Sequence, residues 1–206
     1  MPELHEIASQ VRRDILRMVH GSNSGHPGGS LGCADFLTAL YFHTMKHRPE
    51  SFDMDAREQD VFVLSNGHIS PVFYSVLARS GYFPVAEMAT FRKLDSRLQG
   101  HPTTHEGLPG VRIASGSLGQ GMSVAIGAAL AKKLNNDQTV VYSLHGDGEL
   151  QRSLVGKGKP IAIIMHTIMG SGVDFMENDH NWHGVAPSDE QLEKALAQLP
   201  ETMGDY

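Results

Sequence analysis

Histidine is over-represented in this chain, with twelve in 206 residues, and four of the twelve share an unusual setting. His26, His68, His101 and His183 lie in Ser24-Gly-His-Pro-Gly-Gly-Ser-Leu-Gly32, Leu64-Ser-Asn-Gly-His68, Leu98-Gln-Gly-His-Pro102 and Asn181-Trp-His-Gly184. Each stands beside glycine in a loop-like context. Imidazole ionises near neutrality, so a histidine held in a loop can relay a proton or hydrogen-bond a developing charge. The bland alternative is a loop histidine that caps a helix. His5, His20, His43, His47 and His105 have no comparable setting and read as bystanders.

A second chemical feature is His145-Gly-Asp-Gly-Glu149, directly behind the apolar run Val140-Val-Tyr-Ser-Leu144. This pattern predicts a buried strand that ends in an acidic turn. In open parallel α/β sheets ligands sit at the carboxyl ends of strands, where glycine lets backbone approach phosphate. Asp147 between Gly146 and Gly148 suits a metal–diphosphate group, as one hard oxygen ligand for Mg²⁺ or Ca²⁺. The competing reading is a surface turn with Asp147 as a helix N-cap.

These residues need elements to hold them. Leu4, Ile7, Val11, Ile15, Met18 and Val19 recur at near-helical spacing and predict an amphipathic first helix over 4–20. Residues 21–32 read as loop and 33–45 as a buried helix. Val61-Phe-Val-Leu64 is a short apolar strand feeding the Ser-Asn-Gly-His turn. Helices are predicted over 71–80, 85–94, 119–134 and 188–198, strands over 140–145 and 161–165, and loop over 98–115. Strands alternating with helices argue an α/β fold with a parallel sheet flanked by helices.

Composition sets the outer bounds. At 206 residues, 40% hydrophobic and 19% charged, the chain predicts one soluble globular domain over 1–206. A net charge of −6 offers no basic footprint for nucleic acid. No apolar run reaches the ~18–20 residues that span a bilayer, and the acidic N-terminus has no signal-peptide core, so no membrane partner and a cytoplasmic location are expected. The single Cys33 fits a reducing compartment and reads as a small buried hydrophobe.

Taken in order, Ser24 to Gly32, Gly116-Ser-Leu-Gly-Gln-Gly121, Gly146-Asp-Gly148 and Trp182-His-Gly184 resemble the N-terminal, thiamine-diphosphate-binding part of transketolase. The likeness is nearer still to the separate N-terminal subunit of a split transketolase, and runs from Ile7 to Tyr206. It implies the diphosphate-binding (PP-type) α/β fold, with thiamine diphosphate and Mg²⁺ or Ca²⁺ as cofactors. It also implies transfer of a two-carbon ketol unit from a ketose phosphate to an aldose phosphate. The resemblance assigns the cofactor to His68, Gly116, Leu118, Gly146, Asp147, Gly148 and His183, with Asp147 as the metal ligand. His26 and His101 are implied as donors to the substrate's oxygens, and His183 joins them as a catalytic group on the thiazolium side. Asn66 stands where the family commonly has lysine.

The activating glutamate of such enzymes belongs to a pyrimidine-binding domain, so a C-terminal partner subunit is expected, together with self-association. Two rivals stay open: a 1-deoxyxylulose-5-phosphate synthase-like fragment, and a non-catalytic binding or scaffold subunit.

One irregularity concerns 151–153. Against the family pattern, a crossover block of some tens of residues, carrying an asparagine metal ligand, is absent after Gln151. Either the numbered residues flank a stretch missing from the numbering, or the chain is truly deleted. The first is preferred, because deleting a central strand would strip its neighbours of hydrogen-bond partners and apolar cover.

Overall fold

The computed structural model describes residues 2–150 and 164–206. The amphipathic N-terminal pattern forms α1 (Leu4–Gly21), whose first turn is closed by Glu6 accepting the Glu3 N–H at 2.8 Å. Its apolar stripe, with Val11, Ile15 and Leu16 fully buried, is the spine of the main core. α2 (Pro27–Gly32) and α3 (Ala34–Ala39) follow, and α3 runs into a π-helical turn over Leu40–Thr44. α4 (Ser70–Arg79) is buried along almost its whole length.

Strands β1 (Val61–Leu64) and β2 (Val141–Leu144) pair in parallel, Val61 opposite Val141 and Leu64 opposite Leu144. Because alternate strand residues face opposite sides, Phe62 and Leu64 enter the main core against α1, α3 and α4. Val61 and Val63 turn the other way, into a small cluster with Ala56 and Ala125 of α5 (Gln120–Leu134). The sheet thus lies between two helical layers, the α/β arrangement expected. Asp60 ties the start of the pair together, accepting from Val140 N and Lys46 N at 2.8 and 2.9 Å.

Of α5, only Gly121, Ala125 and Lys132 are buried; Val124, Ile126, Leu130 and Leu134 are exposed. Lys132 is anchored at the far end of this helix. Its ammonium donates to the carbonyls of Ala56 and Gln59, to Thr139 Oγ1 and to the Asp137 carboxylate, all within 3.0 Å. α6 (Asp147–Leu150) is a single turn after β2, and α7 (Asp189–Gln198) opens on a Ser188–Gln191 capping box. The tail beyond α7 folds back on α1, where Arg13 donates to Leu196 O, Leu199 O and Asp205.

Four expectations change. Residues 27–32, read as loop, form α2: Pro27 sets the first helical position, and its glycines are required by close packing. A Cβ at Gly28 would lie 2.8 Å from Trp182 O, and one at Gly32 2.8 Å from Ile168 O. The helix expected over 85–94 is only a 3₁₀ segment, Val85–Thr90. The strand expected over 140–145 is shorter, at Val141–Leu144. In the strand expected over 161–165, residues 161–163 lie outside the described residues and 164–165 have no regular structure. The interruption proposed near 151–153 lies outside the described residues too. Among the described residues no helix is long and apolar enough to cross a membrane.

Candidate functional site

Both strands deliver their loops to the same edge. Ser65 N donates to Leu144 O at 2.9 Å, which fixes the Ser65–His68 turn beside the His145–Gly148 turn. Gly67 must be glycine here, because any Cβ would collide with the Ser115 carbonyl. That contact brings residues 115–119, the entrance to α5, against the β1 turn. Gly121 packs so closely on Ser65 that a Cβ would lie 2.7 Å from Ser65 Cα. Three glycine-bearing segments distant in sequence therefore meet at one point.

His26 is the N-cap residue of α2, and its carbonyl accepts from Ser30 Oγ at 2.7 Å. His68 arrives from the β1 turn and His183 from the 3₁₀ segment His180–His183. Their rings converge: the centroids of His26 and His68 are 5.1 Å apart, those of His26 and His183 5.4 Å, and those of His68 and His183 5.6 Å. His101 lies on the same side, its Cβ 3.9 Å from where a Cβ of Gly116 would be. Motifs separated by more than a hundred residues thus form one imidazole cluster.

The electrostatics favour the neutral form of three of these rings, His26, His68 and His101. His26 is lowered to about 4, first by burial and then by His68, His183, Arg92 and His101. His68 is lowered by burial and its histidine neighbours, against a smaller opposing effect of Glu149. His101 is lowered by burial and by Arg92. Neutral imidazoles can each donate one hydrogen bond and accept another.

Arg92, marked by no motif, and Glu149, the last residue of the His145–Glu149 motif but given no role there, join the site. The Arg92 guanidinium lies behind the histidines, donates to Ser24 Oγ at 3.0 Å and fills the space where a side chain on Gly100 would be. No local pattern points to it. Glu149 is 1% exposed. It accepts from Ser65 Oγ at 2.9 Å and from Gly119 N and Gly146 N, each at 3.0 Å, and lies 3.2 Å from His145 Nδ1. Its position three residues after Gly146 is the third helical position of α6, a placement the sequence did offer. One consequence corrects an expectation: the Gly146 N–H is already used by Glu149, so Gly146 offers phosphate an open backbone but not that donor.

Asp147 and Gly148 are exposed, and nothing lies within 4 Å of where a Gly148 Cβ would be. Gly116 and Leu118 are exposed in the α5 entrance loop. Buried His26 Nδ1, Asn66 Oδ1 and Ser115 Oγ have no hydrogen-bond partner among the described residues. Orphaned polar atoms around an open glycine turn fit a phosphorylated, nitrogen-rich ligand such as thiamine diphosphate. A metal fits less well, since no group of three His, Cys, Asp or Glu side chains among the described residues could hold one. Of the expected site residues, Asp147 alone would offer a metal a carboxylate oxygen.

The model for the transketolase thiamine diphosphate binding domain matches residues 4–155. The chain belongs to this family. Among relatives, an apulose-4-phosphate transketolase subunit of Actinobacillus succinogenes is 28% identical over 269 aligned positions, covering 97% of this chain and 96% of the relative. The transketolase of Pongo abelii is 37% identical over 78% of this chain, which spans only 25% of that protein. Solved transketolases share the fold. That of Leishmania mexicana superposes with a TM-score of 0.86 at 23% identity, over 97% of this chain and 41% of that one. That of Campylobacter jejuni gives 0.84 at 29% identity, over 97% and 43%. The chain thus spans about a quarter of the single-chain transketolases among its curated relatives, and almost all of the Actinobacillus protein.

Proposed function

We propose that this transketolase-family chain supplies the diphosphate- and substrate-facing half of a ketol-transfer site. It would move a two-carbon unit from a ketose phosphate to an aldose phosphate, together with a polypeptide that carries the pyrimidine-binding domain. The observation that carries this reading is the convergence of His26, His68 and His183, within 5.6 Å of one another, with His101 beside them at the carboxyl edge of a parallel strand pair. The end-to-end match to a protein named as one subunit of a transketolase supports the need for a partner.

His68 and His183 face the diphosphate and thiazolium side, and Asp147 offers an oxygen to a divalent cation. Gly116 and Leu118 present backbone to the aminopyrimidine, while Gly146 and Gly148 leave the phosphates room. When bound, the cofactor supplies the electron sink for carbon–carbon cleavage. His26 and His101, neutral at pH 7 because burial and Arg92 disfavour their charge, donate to the substrate's oxygens and pass protons to and from them. A neutral imidazole suits this task, since its free nitrogen can accept a hydroxyl proton and the imidazolium so formed can return it.

An alignment of 269 positions for a 206-residue chain supports a family segment without counterpart here, and the motif order is our reason for putting it after Gln151. Intact mass tests it: a mass near 22.4 kDa means deletion, and a clearly larger one means extra residues.

The function is tested by assaying the chain alone and with a candidate partner, using xylulose 5-phosphate and ribose 5-phosphate. Activity should require both polypeptides, and turnover by the chain alone would refute the shared site. Pyruvate with glyceraldehyde 3-phosphate tests the synthase-like alternative. Apulose 4-phosphate belongs among the donors tried, because the relative matched end to end is named for it.

A further inference from the structure

We propose that Glu149 is a positioning residue that couples the two loops contacting opposite ends of the cofactor, so that the α5 entrance loop and the β2 turn act as one unit. The inference rests on the thiamine diphosphate reading above. As the third residue of α6, Glu149 reaches back from Oε1 to the Gly146 N–H, as helix capping alone would explain. Its other bonds exceed that role. Oε2 accepts from Gly119 N, the N-cap residue of α5, and from Ser65 Oγ, the first residue after β1. One buried carboxylate therefore joins three chain segments, two of them 30 and 84 positions away from it.

The chemistry requires a carboxylate. Both backbone partners are fixed N–H donors, one on each oxygen, and an ionised carboxyl group accepts at both. A glutamine has the same shape, but its amide nitrogen would meet an N–H donor in either flip. The serine hydroxyl can turn to accommodate the amide, whereas the Gly119 and Gly146 amides cannot. Glu149→Gln thus releases one loop from the other while leaving the volume of the buried side chain unchanged.

The functional meaning follows from which ligand parts each loop meets. Residues 116–119 face the pyrimidine end in the proposed site, and residues 146–148 face the diphosphate. A ligand spanning both gains from having the loops preset at one spacing, since it need not order them itself. A ligand touching only the β2 turn gains little. The exposed Asp147, two residues before Glu149, is left to meet the cation while Glu149 stays inside holding the frame.

The test uses the full chain reconstituted with its partner polypeptide, with Mg²⁺ and two probes, thiamine diphosphate and inorganic pyrophosphate, titrated calorimetrically. Glu149→Gln should weaken thiamine diphosphate at least tenfold and pyrophosphate less than threefold. Equal losses for both, or none for either, would overturn the coupling role and reduce Glu149 to a fold residue. Should the variant fail to fold, the unmodified chain decides by glycine amide exchange. Pyrophosphate should protect Gly119 as well as Gly146, although it reaches only the β2 turn. Protection confined to Gly146 overturns the proposal. Failure of the unmodified reconstituted enzyme to bind either probe would instead refute the thiamine diphosphate reading itself, and the coupling role with it.

Discussion

Acidification between pH 6.5 and 4 should destabilise this protein through His26. Folded, its ring titrates at about 4; unfolded, it takes the ordinary value of 6.5. In that interval the unfolded chain binds a proton that the folded chain refuses, so stability falls as pH falls and is regained as pH rises. At ~1.4 kcal/mol per pH unit the upper limit is roughly 3 kcal/mol. The ring is half-buried and partly screened by solvent, which brings the expected loss to about 1–2 kcal/mol. His68 and His101 are lowered too and add in the same direction. The buried Nδ1 of His26 has no acceptor among the described residues for the extra proton, which reinforces the sign. Asp205 acts elsewhere: held near 2 chiefly by its hydrogen bond from Arg13, it loses its contribution only below its unfolded value of 3.8. The assay is urea unfolding at pH 7.0, 5.5 and 4.5 for the wild type and His26→Gln. The variant should lose about 1 kcal/mol less than the wild type across that range. Parallel curves would refute the claim that His26 is held neutral by its setting.

Three further outcomes are expected. Asp147→Ala should weaken thiamine diphosphate binding with Mg²⁺ far more than His26→Ala, by titration in the reconstituted enzyme, because only Asp147 offers the cation an oxygen; equal losses would reverse those roles. Gly121→Ala should cost about 1–3 kcal/mol in urea unfolding, since the new methyl lands 2.7 Å from Ser65 Cα; a neutral change would contradict the tight α5–β1 contact. Asp14→Ala should cost about 3–5 kcal/mol, because it strands Arg79, whose 2.7 Å pair with Asp14 leaves the two side chains 4% and 0% exposed; a midpoint shift worth under 1 kcal/mol would count against it.

Near-helical spacing made α1 legible and short apolar runs made both described strands legible, while α5 showed through its run of small residues. α2 was hidden because three of its six residues are glycine, chosen by what packs against them, namely Met169, Trp182 O, Ile69 and Ile168 O. That is tertiary context overriding helix propensity. The histidines were legible by their glycine-rich settings, but their mutual distances were not, because chain order says nothing of which loops meet. Arg92 shows the limit most clearly. Its importance comes from lying behind His26 and His101, in a backbone conformation with φ of 58° that its sequence neighbours do not advertise.

The anchoring of Lys132 reaches beyond its own surroundings. A tetrahedral ammonium can serve oxygens on several sides, where a planar guanidinium would need them in one plane, so arginine is a poor substitute here. α5 is a rod of 15 residues, about 22 Å long at 1.5 Å per residue, pinned at this end by a cation and at the other by Glu149 holding Gly119. Loosening either pin lets the whole rod tilt or slide. Natural variation at 132, 137 or 139 would therefore be felt at the α5 entrance loop, proposed above to meet the cofactor's pyrimidine end, as a remote change in fit without any altered residue coming near the ligand.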